Sequence, residues 1–416
     1  MPPFPAHDLS VLRGLAEEKA RIAALPVQQE RALMWTRLND LDPVKPMVWI
    51  NEIPWHEFPL ERQLECSDPF CRDLEYELRR TLYQWKHMPG DMVVEGCMCS
   101  PLVICENGFG IDAIGATVAT CKQSVLARSF EPQIKNEADV ERIHAPEVWL
   151  DSEATERSFE QMHTLFDGVI PVRKRGIPGF WFAPWDQLVT WWGVQQSMID
   201  LLMRPDLVKY AMDRLLDAHL ERLDRIEALN ALARNDDNTR VGSGGYGYTN
   251  ELPQPDCNPA HVRPLDVWGA ATAQIFSEVS PDMHREFALE YEVRWLERFG
   301  LNYYGCCEPL DTKIDILAHV PRLRKISMSP WINPERAAEN MGRKYVFSFK
   351  PNPAILAESS WDPERARAQL RHVLDAARSC IVEVIMKDIS TVAFEPKRLH
   401  QWADIAAQLT ADYAHG

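Results

Sequence analysis

The residue types best suited to chemistry meet in one short run, Gly305-Cys306-Cys307-Glu308-Pro309. A thiolate there can ligate zinc or act as a nucleophile, and the carboxyl group can add an oxygen ligand or move a proton. Adjacent side chains on a strand face opposite sides, so at most one thiol enters a given site while the strand stays regular. The plain alternative is two thiols packed as small hydrophobes. Position at a strand end favours chemistry, with Cys307 and Glu308 as catalytic groups and Cys306, Cys307 and Glu308 as candidate metal ligands.

Other signals are weaker. Cys97-Met98-Cys99 can join a metal site, but no matching C-x-x-C or H-x-x-x-H lies nearby, and packing is the favoured reading. His261, in a proline-rich loop, reads as an exposed histidine. Gly242-Ser243-Gly244-Gly245-Tyr246-Gly247 has neither the P-loop lysine nor the G-x-G-x-x-G register. Trp181, Trp185, Trp191 and Trp192 cluster, and Trp331 follows a later strand. Such rings can wall an aromatic pocket or cage a methylated ammonium group, although most aromatics are core.

The elements that must position these residues alternate. Two helical stretches, Leu9–Leu25 and Gln28–Leu38, open the chain. Strands are then expected at Met47–Glu52, Asp91–Glu95, Val169–Arg173, Thr239–Gly244, Leu301–Cys307, Leu323–Met328, Lys344–Phe349 and Ile381–Lys387. Helical patterns separate them, and three begin with a capping residue followed by proline: Ser280-Pro281, Asn333-Pro334 and Asp362-Pro363. Alternation with short connections implies a parallel sheet, and about eight units fit an α/β fold of the (β/α)₈ barrel type. Residues 1–45 read as an N-terminal helical extension and 46–416 as the barrel, with Gly96–Pro146 an elaborated loop after the second strand.

In such a barrel the site forms at the carboxyl ends of the strands. Those ends supply Asn51 and Glu52, Glu95 with Cys97 and Cys99, Arg173, Ser243 with Tyr246, the Cys306-Cys307-Glu308 run, Ser327, Ser329 and Trp331, Lys350 and Asn352, and Lys387-Asp388. They are polar and ionisable while the strands before them are apolar. That contrast points to an enzyme. Asn51, Glu52, Glu95, Trp181, Trp185, Tyr246, Trp331 and Lys350 are the expected substrate-binding residues.

The net charge of −16 argues against a nucleic-acid partner. No run of about twenty apolar residues suggests a membrane span. The N-terminus lacks the basic and apolar regions of a signal peptide, so ten cysteines read as thiols in a cytoplasmic protein.

Several segments carry a family resemblance: Phe130-Glu131-Pro132 through Arg142, Gly179-Phe180-Trp181-Phe182-Ala183-Pro184, Tyr303 to Glu308, and Phe347 to Leu356. Together they resemble the uroporphyrinogen decarboxylase superfamily, from about Pro46 onward. The arginine-rich motif that grips porphyrinogen carboxylates is replaced by Val48 to Trp55, and Glu52 and Glu95 would repel such a substrate. The resemblance therefore leans to the cobalamin-dependent methyltransferase branch. It implies methyl transfer between a small substrate, in which the tryptophan cluster suggests an aromatic or methylammonium portion, and a corrinoid on a partner protein. It also implies zinc, although the histidine of the family's H-x-C motif reads Tyr304 or Gly305 here and the later cysteine is missing. Cys307 would polarise or ligate the reacting centre, Glu308 and Asp388 would be ligands or proton-transfer groups, and Lys350 or Lys387 would orient an anionic group. A corrinoid protein and a second copy of the chain are the expected partners. The alternative is a cofactor-independent decarboxylase or lyase acting on a small carboxylate held by Lys350 and Lys387.

Overall fold

A computed structural model describes residues 4–118 and 127–414 of the chain; residues 119–126 of the expected loop insertion lie outside them. The strands are β1 (Met47–Ile50), β2 (Met98–Pro101), β3 (Ile104–Glu106), β4 (Gly115–Val118), β5 (Ala127–Phe130), β6 (Val148–Leu150), β7 (Val172–Arg175), β8 (Trp268–Ala271), β9 (Leu301–Tyr304), β10 (Leu323–Met328), β11 (Val346–Phe349) and β12 (Ile381–Met386). Six of them form one parallel sheet in the order β1-β12-β11-β10-β9-β8. This is an α/β fold. Past β8 the pairing continues among the described residues as single parallel bridges, Phe182 to Ala271 and Ile177 to Leu232. β2 and β7 make a separate parallel pair, and β3–β6 and β4–β5 are short antiparallel pairs.

The period of two along a strand divides the sheet into two chemically different faces. One carries Ile326 and Met328, Phe347 and Phe349, Val382, Val384 and Met386, packed beneath the helices in the main core. Pro205–Ala228 joins the same apolar cluster through other helices, burying Val208, Ala211, Met212, Leu215 and Leu216 at helical spacing. The other face carries Tyr303, Lys325, Ser327, Ser348 and Glu383, brought level by register: Tyr303 beside Lys325, Ser327 beside Ser348, and Ser348 beside Glu383.

Two of the expected strands do not form. At Asp91–Glu95 most of the hydrogen-bonded backbone groups are taken by side chains, and Asn238 Nδ2 of a distant loop donates to Val93 O (3.0 Å). The first two helices, α1 (Ala6–Ala23) and α2 (Pro26–Asn39), precede β1, and α2 supplies most of the partners. Trp35 Nε1 donates to Asp91 O (2.8 Å), Arg31 Nη1 to Met92 O (2.9 Å), and Gln28 Oε1 accepts from Val94 N (2.9 Å). Satisfied this way, the segment needs no ladder. Thr239–Gly244 turns back on itself, with Val241 N donating to Gly245 O at 3.0 Å and Gly242 at φ +55°. A strand not expected from sequence, β8, takes its place in the sheet. The helix expected to start at Ser280-Pro281 forms but is interrupted by a π-helical turn, Arg285–Leu289.

Candidate functional site

β9 to β12 end side by side, and their exits surround a cavity of about 320 Å³ lined by Cys306, Cys307, Trp331, Lys350, Lys387 and Asp388, with prolines and the Ser390-Thr391 turn completing the wall. Gly305 makes the sharp exit from β9 at φ +95°, where an added Cβ would run into Leu310. The turn sends Cys306 inward, where it is buried, and leaves Cys307 exposed. Cys306, rather than Cys307, is therefore the thiol held inside.

Cys306 Sγ lies 3.5 Å from Cys307 Sγ and 3.6 Å from Lys387 Nζ. The hydrogen bond to Cys307 holds the Cys306 thiol below its ordinary value against the pull of burial, and the charge of Lys387 adds to it. The shared proton pushes Cys307 up. Burial would lower Lys387, but Cys306, Asp388 and Glu52 keep it above the usual lysine range. Its Nζ is 2.6 Å from Asp388 and 3.8 Å from Glu52. Asp388 and Glu52 are non-glycine residues at positive φ, 54° and 50°, at the ends of β12 and β1. Such strain persists where surrounding contacts over-determine the backbone; here Asp388 N donates to Glu52 Oε2 (3.1 Å), and Arg240 pairs with Glu52 at 2.5 Å. Burial pulls Glu52 upward, yet the bonds to Asp388 and Arg240 bring it down to about 2. Burial and the bond to Glu52 raise Asp388.

Below the cavity lies a polar layer of which the sequence reading named Lys350 and Ser243 but gave no role to Tyr303, Lys325, Ser348 or Glu383. Lys350 Nζ donates to Ser348 O (2.8 Å) and Ser348 Oγ (2.7 Å) and is hydrogen-bonded to Tyr303 Oη. Tyr303 Oη also meets Ser243 Oγ at 2.9 Å, and Ser348 Oγ donates to Glu383 Oε1 at 2.5 Å. Glu383 forms a fully buried ion pair with Lys325 at 2.9 Å. Burial drives Lys350 well below the ordinary lysine range. The available signal was a lysine and a glutamate inside otherwise apolar strand runs, at positions of one parity.

Glu308 turns away from the cavity. It is wholly buried; Oε1 accepts from Thr272 Oγ1 (2.8 Å) and Ala273 N (3.3 Å), and Oε2 from Cys306 N (2.9 Å). It ties the β9 exit to the β8 exit and so fixes the Cys306 backbone. Burial raises its pKa.

The other expected residues are dispersed. Asn51 and Glu52 border a separate groove toward Arg80 and Gln84, although Glu52 also reaches Lys387. Glu95 belongs with Cys99, Arg175 and Asp237 near β2, where burial raises its carboxyl. Trp181 lines a second cavity of about 200 Å³ with Arg240 and Asn235. Trp185 is core: it is fully buried, Nε1 donates to Phe287 O (2.8 Å), and its ring lies 4.7 Å from that of Phe276. Tyr246 is also core, with its ring 4.4 Å from that of Trp49. An apolar ring has more to gain from burial than from lining a wet pocket, and Trp185, Trp191 and Trp192 follow that rule, while Trp181 stays exposed. Trp331, 69% exposed, stands at the cavity rim.

Among the described residues no group of three or more His, Cys, Asp and Glu side chains converges to hold a metal ion. With Glu308 engaged elsewhere, the two thiols have no third protein donor in place, which does not match the three or four ligands of a zinc site. A corrinoid macrocycle exceeds a cavity of about 320 Å³ and would have to be presented at the mouth. No helix among the described residues is long and apolar enough to cross a membrane.

Compared with known proteins, the chain matches no family model and no curated protein sequence. Among solved structures it is similar to a methyltransferase from Methanosarcina mazei, with a TM-score of 0.51 and 11% identity over 91% of this chain and 98% of that one. At that identity the likeness establishes a shared fold.

Proposed function

We propose that this chain is an enzyme of the uroporphyrinogen decarboxylase-like type, built as a (β/α)₈ barrel, that transfers a methyl group to or from a small molecule in the cavity, with Cys306 as the reacting thiolate. The observation that carries the reading is the Cys306 thiol, buried at the strand exits and 3.6 Å from the Lys387 ammonium. The fold shared with a methyltransferase supports it. A thiolate stabilised by a neighbouring cation is a nucleophile at neutral pH. Its sulfur attacks the methyl carbon, the S–C bond forms, and the bond to the previous carrier breaks with its electron pair leaving on that carrier. Transfer to the acceptor repeats the displacement in reverse. Glu308 fixes the attacking residue through the Cys306 N–H, and Lys387 with Asp388 orients the polar part of the substrate. Trp331 at the rim provides the face for an aromatic or methylammonium portion. A corrinoid on a partner protein supplies cobalt-centred methyl chemistry when it docks at that rim; no step here is routed through it, or through zinc.

The test is methylation of free cob(I)alamin by a panel of methoxyarenes and quaternary methylammonium compounds, followed by its visible spectrum. Wild-type protein should catalyse it and Cys306→Ser should not. Catalysis that survives Cys306→Ser overturns the role of the thiolate. A second reading, a lyase acting on a small carboxylate, is favoured by the two lysines on one cavity wall. Carbon dioxide release from small carboxylates that persists in Cys306→Ser would select it.

A further inference from the structure

Lys350 is the one cation of the site left without a carboxylate. Among the described residues Arg240 pairs with Glu52, Lys325 with Glu383 and Lys387 with Asp388, whereas the Lys350 amine meets only Tyr303 and Ser348. Glu383 reaches it only through Ser348 Oγ, and is already engaged by Lys325. The lysine is 4% exposed and lines the same cavity as Lys387; burial and that second ammonium group disfavour its charge, while Glu383 and Cys306 nearby oppose them without outweighing the burial. Desolvation and a neighbouring cation are the two conditions that turn a lysine into a free amine nucleophile. The direction of its pKa, well below the usual value, agrees.

We propose that Lys350 forms an imine with the carbonyl carbon of a small oxo acid whose carboxylate is seated by Lys387. A cavity of about 320 Å³ holds a small ligand. The amine lone pair attacks the carbonyl carbon, the C–N bond forms, and the oxygen takes up a proton to give a carbinolamine. The C–O bond then breaks and water leaves, carrying both protons that the nitrogen gives up. Tyr303 Oη, hydrogen-bonded to the amine and to Ser243 and Ser348, is placed to pass those protons from nitrogen to oxygen. The step needs no oxidant, reductant or cofactor. It uses the amine of Lys350 and not the thiol of Cys306, so it stands or falls apart from the methyl-transfer reading.

The experiment is borohydride trapping on the full chain. Protein is incubated with pyruvate, reduced with sodium borohydride, and analysed by intact mass and peptide mapping. One reduced adduct on the Lys350 peptide is expected, and none in Lys350→Arg. Tyr303→Phe, which keeps the amine, should slow trapping by about a hundredfold or more, so the inference remains testable if Lys350→Arg does not fold. Lys387→Met should narrow the preference for pyruvate over acetone by about tenfold, the loss expected of one charged hydrogen bond. No adduct, an adduct on Lys387, or adducts spread over surface lysines would overturn the inference. Loss of methyl transfer in Cys306→Ser leaves it untouched.

Discussion

Tyr303 and Tyr304 are neighbours on one strand and enter two different buried polar networks. Tyr303 faces the sheet interior, where it joins Lys350, Ser348 and Ser243 beneath an open cavity. Tyr304 faces the helices: Oη donates to Glu292 Oε2 at 2.5 Å and meets His284 Nε2 at 2.7 Å, while Lys313 Nζ lies 3.1 Å from His284 Nδ1. In a regular helix His284 and Glu292 would be offset by about 80° around the axis; the π-helical turn between them brings both to Tyr304. Both networks are fully buried and both shift their ionisable groups. Only the first opens onto a space where a ligand fits. Perturbed acidity alone marks burial, and access separates a site from a well-sealed structural cluster.

The largest test of that contrast is activity. Cys306→Ser, on the open side, should lower the proposed methyl transfer by about a thousandfold or more, whereas Tyr304→Phe should leave that turnover within about threefold and lower the melting temperature instead. Next comes stability on the open side. Glu383→Gln leaves Lys325 buried without its counter-charge and should cost about 3–5 kcal/mol in urea unfolding; a loss below about 1 kcal/mol would show that Ser348 and water compensate.

The sealed side should declare itself through pH. Burial takes His284 down to about 3 from 6.5, and takes Glu292 up to about 8 from 4.5. As pH falls below 6.5 the unfolded chain binds a proton that the folded His284 refuses, so stability drops toward pH 3. As pH rises from 4.5 to 8 the folded chain retains a proton on Glu292 that the unfolded chain releases, so stability drops again. The two effects oppose each other between 4.5 and 6.5, and only the Glu292 loss remains above 6.5. Between pH 6.5 and 8 the wild type should lose about 2 kcal/mol more than Glu292→Gln. Equal losses in thermal melts would place the alkaline limb elsewhere.

The smallest effect is expected at the other cysteine pair. Hydrogen bonding to Cys97 and the nearby Arg175 bring the exposed Cys99 thiol to about 6 despite burial pulling the other way. Iodoacetamide should label it readily at neutral pH, and Cys99→Ser should change activity by less than about twofold. A larger loss would move part of the site to β2.

The chain wrote some of this plainly and some of it in ways that local pattern cannot decode. The last four strands were legible as apolar runs, and β10 and β11 also because capped helices follow them: Asn333 Oδ1 accepts from Arg336 N at 2.7 Å, and Asp362 Oδ1 from Glu364 N at 3.0 Å. Their exits gave Cys306, Lys350 and Lys387 directly. β8 was not legible, because Trp268-Gly269-Ala270-Ala271 lacks β-branched residues; its small side chains answer a tertiary demand, since a Cβ on Gly269 would sit 2.5 Å from Phe299. Asp91–Glu95 looks like a strand and is not one, because side chains from α2 and a distant loop satisfy its backbone. The orientation of Glu308 depended on Gly305, whose positive φ ends the alternation that strand periodicity assumes.

One consequence concerns traffic. Trp35 of α2 packs with Met47, Val346 and Ile381, the first residues of three strands, and Lys325 sits 5.9 Å from its ring. Trp35 thereby covers the amino-terminal ends of these strands beneath the polar layer. Trp331 stands on the opposite side, at the rim of the cavity above the strand exits. Two reactants that both need this cavity of about 320 Å³ beside Cys306 would have to take turns in it, so turnover would follow the order of their visits.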